Sequence, residues 1–128
     1  MLKVGLVGAG GWGKNHARVL SELGALAAIC DVDITRAEEF GRKYNVPYYT
    51  SIDEMLSKEK IEVAHVCTPT TTHYSVSKKL LESGLHVFIE KPIAASVKEG
   101  MEIASLAEER KRLVEWDTLR GSTRQLFI

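Results

Sequence analysis

The chain has no net charge to offer a polyanion. Its 17 lysines and arginines balance 17 aspartates and glutamates over 128 residues. A surface built for nucleic acid or an anionic membrane carries a basic excess, so neither partner is expected. Long apolar runs are also missing, and none approaches the ~20 residues of a bilayer-spanning helix. The N-terminus enters an apolar run directly, without the layout of a secretory leader, which makes the cytoplasm the expected location. Cysteine is scarce. Cys30 and Cys67 are the only two; each ends an apolar run, and both read as buried thiols in a reducing compartment. The four histidines are scattered, so no ligand set is spaced for a metal. No internal repeat, low-complexity tract or linker interrupts the chain. What is present is a 45% apolar composition, which argues for a globular fold over disorder. The length fits one domain.

Short apolar runs alternate with segments of helical period. Residues 2–7 form a continuous run that ends at Gly8, the pattern of a buried strand. A helix follows, with apolar positions at Trp12, Val19, Leu20 and Leu23, and Gly24 ends it. Residues 25–30 are a second strand. Asp33 can cap a helix whose apolar face is Ile34, Ala37, Phe40 and Tyr44. A third strand falls at 46–49. Ser51 to Glu54 has capping-box form. A fourth strand at 63–67, a helix through Val76, Leu80 and Leu81 that ends at Gly84, and a fifth strand at 85–89 follow. Ser96 to Glu99 is a second capping box, leading a helix through Val97, Met101, Ala104 and Ala107. Leu113 and Val114 can begin a sixth strand. This alternation predicts an α/β fold of Rossmann type: a doubly wound parallel sheet in three α/β/α layers, as a single domain. In such sheets ligands sit beyond the carboxyl ends of the strands, where strand order reverses. Gly8, Asp31, Thr68 and Glu90 all fall at such ends.

Gly8-Ala9-Gly10-Gly11-Trp12-Gly13 joins the first strand to the first helix. A G-x-G-x-x-G pattern is weak alone and strong in that context. Gly8 permits the tight turn, Gly10 lets backbone approach a pyrophosphate, and Gly13 lets helix and strand pack closely. The helix N-terminus then offers N–H groups to phosphate. Asp31 stands near the offset of an acid that hydrogen-bonds an adenosine ribose. A carboxylate there repels a 2′-phosphate, and the next arginine is Arg36, which favours NAD over NADP. Asp31 as a plain loop or capping residue is the alternative. In Thr68-Pro69-Thr70-Thr71-Thr72-His73 the hydroxyls can cap the next helix or meet a cofactor ribose; the residues alone favour capping, and His73 reads as a partly exposed histidine near a helix start. Lys91, between Glu90 and Pro92, ends an apolar strand. Its amine can polarise or deprotonate a substrate hydroxyl. A surface Glu90–Lys91 pair is an equal reading.

Together these residues resemble the glucose–fructose oxidoreductase / inositol dehydrogenase / MocA (Gfo/Idh/MocA) family. The likeness rests on the Gly8–Gly13 turn, Cys30-Asp31, Thr68-Pro69 with His73, the Leu81, Gly84, His86, Val87 run and Glu90-Lys91-Pro92. It implies an N-terminal NAD(P)-binding domain and hydride transfer between a hydroxyl-bearing carbon of a sugar or cyclitol and C4 of the nicotinamide. It also implies that Lys91 touches both the nicotinamide ribose and the substrate hydroxyl. Lys91 and Glu90 become catalytic candidates. Gly8, Gly10, Gly11, Trp12, Gly13, Asp31, Thr68, Pro69, His73, Glu90 and Lys91 become cofactor-binding candidates, with no metal.

The expected organisation is a dinucleotide-binding domain at 1–117 and a tail at 118–128 outside the family pattern. On this expectation the chain lacks the family's second, substrate-binding and oligomer-forming domain. After Val114 the family continues with Val-Gly-His and then Arg-Phe-Asn-Pro. One synonymous encoding of residues 115–128, read two bases out of phase, gives that continuation. A shifted reading frame near codon 114 is therefore expected, with a natural single-domain protein as the alternative. On this reading the chain holds NAD(H), turns over a sugar or polyol only with the second domain restored, and exposes apolar surface that favours self-association. A stand-alone NAD(H)-binding regulatory or redox-sensing module is the competing function. A doubly wound domain for another adenosine ligand, such as S-adenosylmethionine, is a third, opposed by Glu90-Lys91-Pro92.

Overall fold

The computed structural model describes residues 2–11, 13–90, 96–117 and 123–126. The chain divides into two compact units, Met1–Cys67 and Thr68–Ile128.

The first unit holds β1 (Val4–Val7), α1 (Gly13–Glu22), β2 (Leu26–Cys30), α2 (Ile34–Tyr44), β3 (Tyr48–Tyr49), α3 (Ile52–Lys58) and β4 (Val63–Val66). Its strands lie in the order β3-β2-β1-β4, every pair parallel. The chain winds outward through β2 and β3, then crosses back to set β4 on the other side of β1. The order therefore reverses between β1 and β4. All four residues of β1 are buried, as expected of a strand with both faces covered. The period-2 alternation divides them. Leu6 packs with Ala9, Ala17 and Ile29, flanked by Phe40 and Tyr44. Gly5 faces the side chains of Met55 and Ile61.

The caps sit where the sequence places them. The Asp33 carboxylate accepts the N–H groups of Thr35 and Arg36, and Ser51 Oγ accepts that of Glu54. Three expectations need correction. On α1 the buried residues are Gly13, Ala17 and Leu20, while Val19 and Leu23 are 42% and 66% exposed. Small side chains on the inward stripe let the helix backbone come close to the sheet, which leaves the larger apolar residues outside. On α2, Ile34 is exposed in the same way. The third strand is shorter than expected, because Val46 N–H closes the end of α2 on Gly41 O at 2.9 Å and Pro47 has no N–H for a ladder.

The second unit holds a 3₁₀ turn (Thr70–Thr72), α4 (His73–Glu82), β5 (His86–Ile89), α5 (Val97–Arg110), β6 (Val114–Asp117) and β7 (Thr123–Leu126). β6 runs parallel to β5 and antiparallel to β7. Ser96 caps α5 through Glu99 N–H. The face of α5 also departs from expectation: Ile103 and Ala107 are buried, while Val97 and Met101 stand out at 80% and 66% exposure. His86 Nδ1 accepts Leu113 N–H at 2.9 Å and Arg112 Nε donates to Gly84 O at 2.7 Å. These two bonds tie the entry of β6 to that of β5. No helix among the described residues is long and apolar enough to cross a membrane.

Candidate functional site

The reversal of strand order between β1 and β4 puts the glycine turn at its carboxyl rim. Gly8 takes φ +94°, a backbone state that L side chains resist, and its N–H bonds to Cys30 O at 2.8 Å. Gly13 is packed hardest. A Cβ there would overlap the Gly8 carbonyl oxygen and lie 3.0 Å from its carbon and 3.4 Å from Cys67 Cβ. Gly11, at φ +53°, faces open space. Trp12 lies outside the described residues.

Asp31 is only 5% exposed and works as a brace. Its Oδ2 accepts the N–H of Ala9 inside the glycine turn at 2.9 Å, and its Oδ1 accepts Asp33 N–H at 2.9 Å. Arg36 Nη1 adds a contact to Oδ2 at 3.4 Å. The guanidinium also lies over Gly10, where a Cβ would meet Nη1 at 2.9 Å. In the sequence Arg36 counted only as the next arginine after Asp31, a mark of NAD over NADP, and had no part at the site. The available signal was its place in the first turn of a helix capped by Asp33, which folds the side chain back toward the end of β2. Cys30, beside Asp31, is a buried thiol pushed up to about 11 by burial first and by the Asp31 charge second. It is protonated and unreactive at neutral pH. Cys67 is half-buried, less than expected.

Behind the turn, His65 on β4 and His16 on α1 meet edge to face at 5.5 Å between ring centres. Burial, and secondarily the neighbouring His16, lower His65 to about 4. The unfolded chain, with a histidine near 6.5, binds this proton more readily than the folded one. Stability held at neutral pH is therefore lost as pH falls from about 6.5 towards 4, by up to about 3 kcal/mol. Thermal melts should lose midpoint between pH 6.5 and 5, above the range where exposed carboxylates titrate, and His65→Leu should flatten that slope. An unchanged slope would remove His65 as its source.

Thr68 opens the second unit. Thr72 stands at the N-cap of α4 but makes no side-chain cap, contrary to the capping expectation. Its Oγ1 turns back, 2.7 Å from both Thr68 Oγ1 and Pro69 O. His73 is buried, 1% exposed, not partly exposed as a lone histidine reads. Its Nε2 lies 2.7 Å from Thr68 O. A carbonyl only accepts, so Nε2 carries the proton. Glu90 follows β5 and is half-buried. Lys91 and Pro92 lie outside the described residues. The glycine cradle, with one position where any side chain would strike backbone, fits a ligand held by main-chain N–H groups. The braced carboxylate beside it fits a ligand with vicinal hydroxyls.

Comparison with known proteins gives the same class of ligand. The family described as an oxidoreductase family with an NAD-binding Rossmann fold matches residues 2–118. UDP-N-acetylglucosamine 3-dehydrogenase of Acidithiobacillus ferrooxidans is 28% identical over 109 residues, covering 85% of this chain and 34% of that protein. D-glucoside 3-dehydrogenase of Escherichia coli K12 is 31% identical over 120 residues, covering 91% and 34%. Among solved structures, the WlbA dehydrogenase of Chromobacterium violaceum, in complex with NADH and UDP-GlcNAcA, superposes with a TM-score of 0.85 at 25% identity, covering 90% of this chain and 34% of that one. The chain thus spans about a third of the length of the relatives it matches. Its fold class is the doubly wound α/β Rossmann fold.

Proposed function

Because the chain belongs to the Gfo/Idh/MocA oxidoreductase family, whose NAD-binding Rossmann fold it carries, we propose that it is the cofactor-holding part of a sugar or cyclitol dehydrogenase. The observation that carries this reading is the braced glycine turn, with Asp31 Oδ2 holding Ala9 N–H at 2.9 Å at the rim where strand order reverses. On this reading Gly8, Gly10, Gly11, Trp12 and Gly13 form the pyrophosphate cradle. Asp31, with lone pairs left on both oxygens, accepts the adenosine ribose hydroxyls. Thr68, Pro69 and His73 belong to the wall of the cofactor site, His73 by holding the Thr68 carbonyl and not by touching the ligand.

When bound, NAD supplies the hydride acceptor at nicotinamide C4. The chain's own residues manage the proton. With the cofactor bound, Lys91 would take the O–H proton of a secondary hydroxyl as its carbon is oxidised to a carbonyl, so the amine would have to start neutral. Glu90 orients that amine. The nucleotide-sugar and glucoside substrates in the relatives' names support a sugar-type substrate for the complete enzyme. A cytosolic location accords with a soluble cofactor and reduced cysteines. Exposed Val97 and Met101 supply apolar surface for self-association, which light scattering at rising concentration would register.

Titration of the chain with NADH, followed by nicotinamide fluorescence, tests the reading. Saturable binding is expected, and its absence would end the assignment. Lys91→Ala should keep NADH binding within a few-fold, because the amine's main part is with the substrate and the glycine cradle and Asp31 carry the cofactor. A collapse of NADH binding would make Lys91 a cofactor ligand instead.

A further inference from the structure

Thr72 sits where a threonine ordinarily caps the first turn of a helix, yet α4 begins without that bond. The hydroxyl is used elsewhere. It lies 2.7 Å from Pro69 O and 2.7 Å from Thr68 Oγ1. A threonine hydroxyl has a single proton, and the Pro69 carbonyl has none to give. Thr72 therefore donates to Pro69, and the contact with Thr68 is made by the Thr68 proton. The Thr68 carbonyl is separately held by the buried His73 ring at 2.7 Å. Both ends of Thr68 are fixed, and its half-buried side chain is left with lone pairs alone.

We infer that Thr72 is a positioning residue that sets the Thr68 hydroxyl as a hydrogen-bond acceptor for a ribose hydroxyl on the nicotinamide side of the cofactor. An acceptor-only oxygen suits a ligand hydroxyl, which has a proton to donate. It repels phosphate and carboxylate oxygens, which have none. Thr68 follows β4, across the strand reversal from Asp31 at the end of β2, so a dinucleotide lying across that reversal would bring its second ribose, and not its pyrophosphate, to this hydroxyl. This rests on the cofactor reading proposed above.

The experiment titrates the chain and two variants with NADH and with ADP, which lacks the nicotinamide ribose. Thr72→Val keeps the side-chain shape but can neither accept from Thr68 nor donate to Pro69. Its NADH affinity should fall about tenfold, the scale of one hydrogen bond, while ADP affinity stays within about twofold. Thr72→Ser restores the hydroxyl and should recover NADH binding. ADP binding in the valine variant also reports that it is folded. Three results overturn the inference: unchanged NADH affinity in Thr72→Val, parallel loss of NADH and ADP, or a serine variant that behaves like valine. A wild-type chain that binds neither ligand removes the cofactor reading itself, and the role of Thr72 with it.

Discussion

Gly13→Ala should abolish NADH binding and lower the melting temperature by roughly 10 °C or more, from a loss of about 3 kcal/mol or greater. A methyl at this position overlaps the Gly8 carbonyl oxygen and sits 3.0 Å from its carbon. Main-chain atoms fixed by a parallel strand cannot turn aside as a side chain can. The helix must lift from β1, and the turn that presents N–H groups to phosphate opens with it. The neighbouring glycines give the controls. At Gly10 the obstacle is the Arg36 guanidinium, at 2.9 Å, which can swing away. Gly10→Ala should therefore fold with a loss under ~1 kcal/mol and still bind NADH poorly, because the methyl occupies the approach of the pyrophosphate. Gly11→Ala meets no atom but must hold φ +53°, a strain of about 1 kcal/mol. Melts by circular dichroism, with NADH titrations beside them, read all three. A Gly13→Ala protein melting with the wild type would refute the packing argument.

Asp31→Ala should raise the NADH dissociation constant by about 10- to 100-fold, since it removes an acceptor of ribose hydroxyls and loosens the phosphate turn together. Two backbone donors lose their partner, Ala9 N–H and Asp33 N–H. The first is buried, so stability should fall by about 1–3 kcal/mol. The same change releases Arg36 from the contact at 3.4 Å. A freed guanidinium beside the ribose site attracts a 2′-phosphate. NADPH affinity should therefore fall less than NADH affinity, and the preference for NAD should narrow. Asp31→Asn keeps one acceptor oxygen and can serve one of the two donors, so it should lie between. Equal losses for NADH and NADPH would contradict the part assigned to Arg36.

Strands and caps were readable because their signals are local. Asp33, Ser51 and Ser96 each cap the helix that follows them, and the apolar runs closing at Gly8, Cys30 and Ile89 are strands. Helix faces were harder. Counting large apolar residues selected Val19, Leu23, Val97 and Met101, all exposed. Close helix–sheet packing buried Gly13 and Ala17 instead, and small residues carry little weight in a periodicity. The glycine turn and Asp31 could be placed from spacing alone. The contacts of Asp31 could not, since its bond to Ala9 N–H spans 22 positions and Arg36 returns over the turn from the next helix. Thr72 was hidden for a similar reason. A threonine before a helix reads as a cap, and only geometry reveals that its proton goes to Pro69. β7 left no trace in the pattern, because its residues, Thr123-Arg124-Gln125-Leu126, hold no apolar run.

The Asp31–Ala9 bond joins residues 22 positions apart, and it makes the state of the glycine turn measurable. A turn amide ordinarily trades its hydrogen with solvent within moments. The Ala9 amide is tied to a buried carboxylate at the end of another strand, so deuterium can enter only when β1 and β2 part or the brace lets go. Its exchange rate in ligand-free protein should match that of the strand interior rather than that of Gly11 beside it. One resonance thus reports, before any nucleotide is added, what fraction of molecules hold the phosphate turn ready.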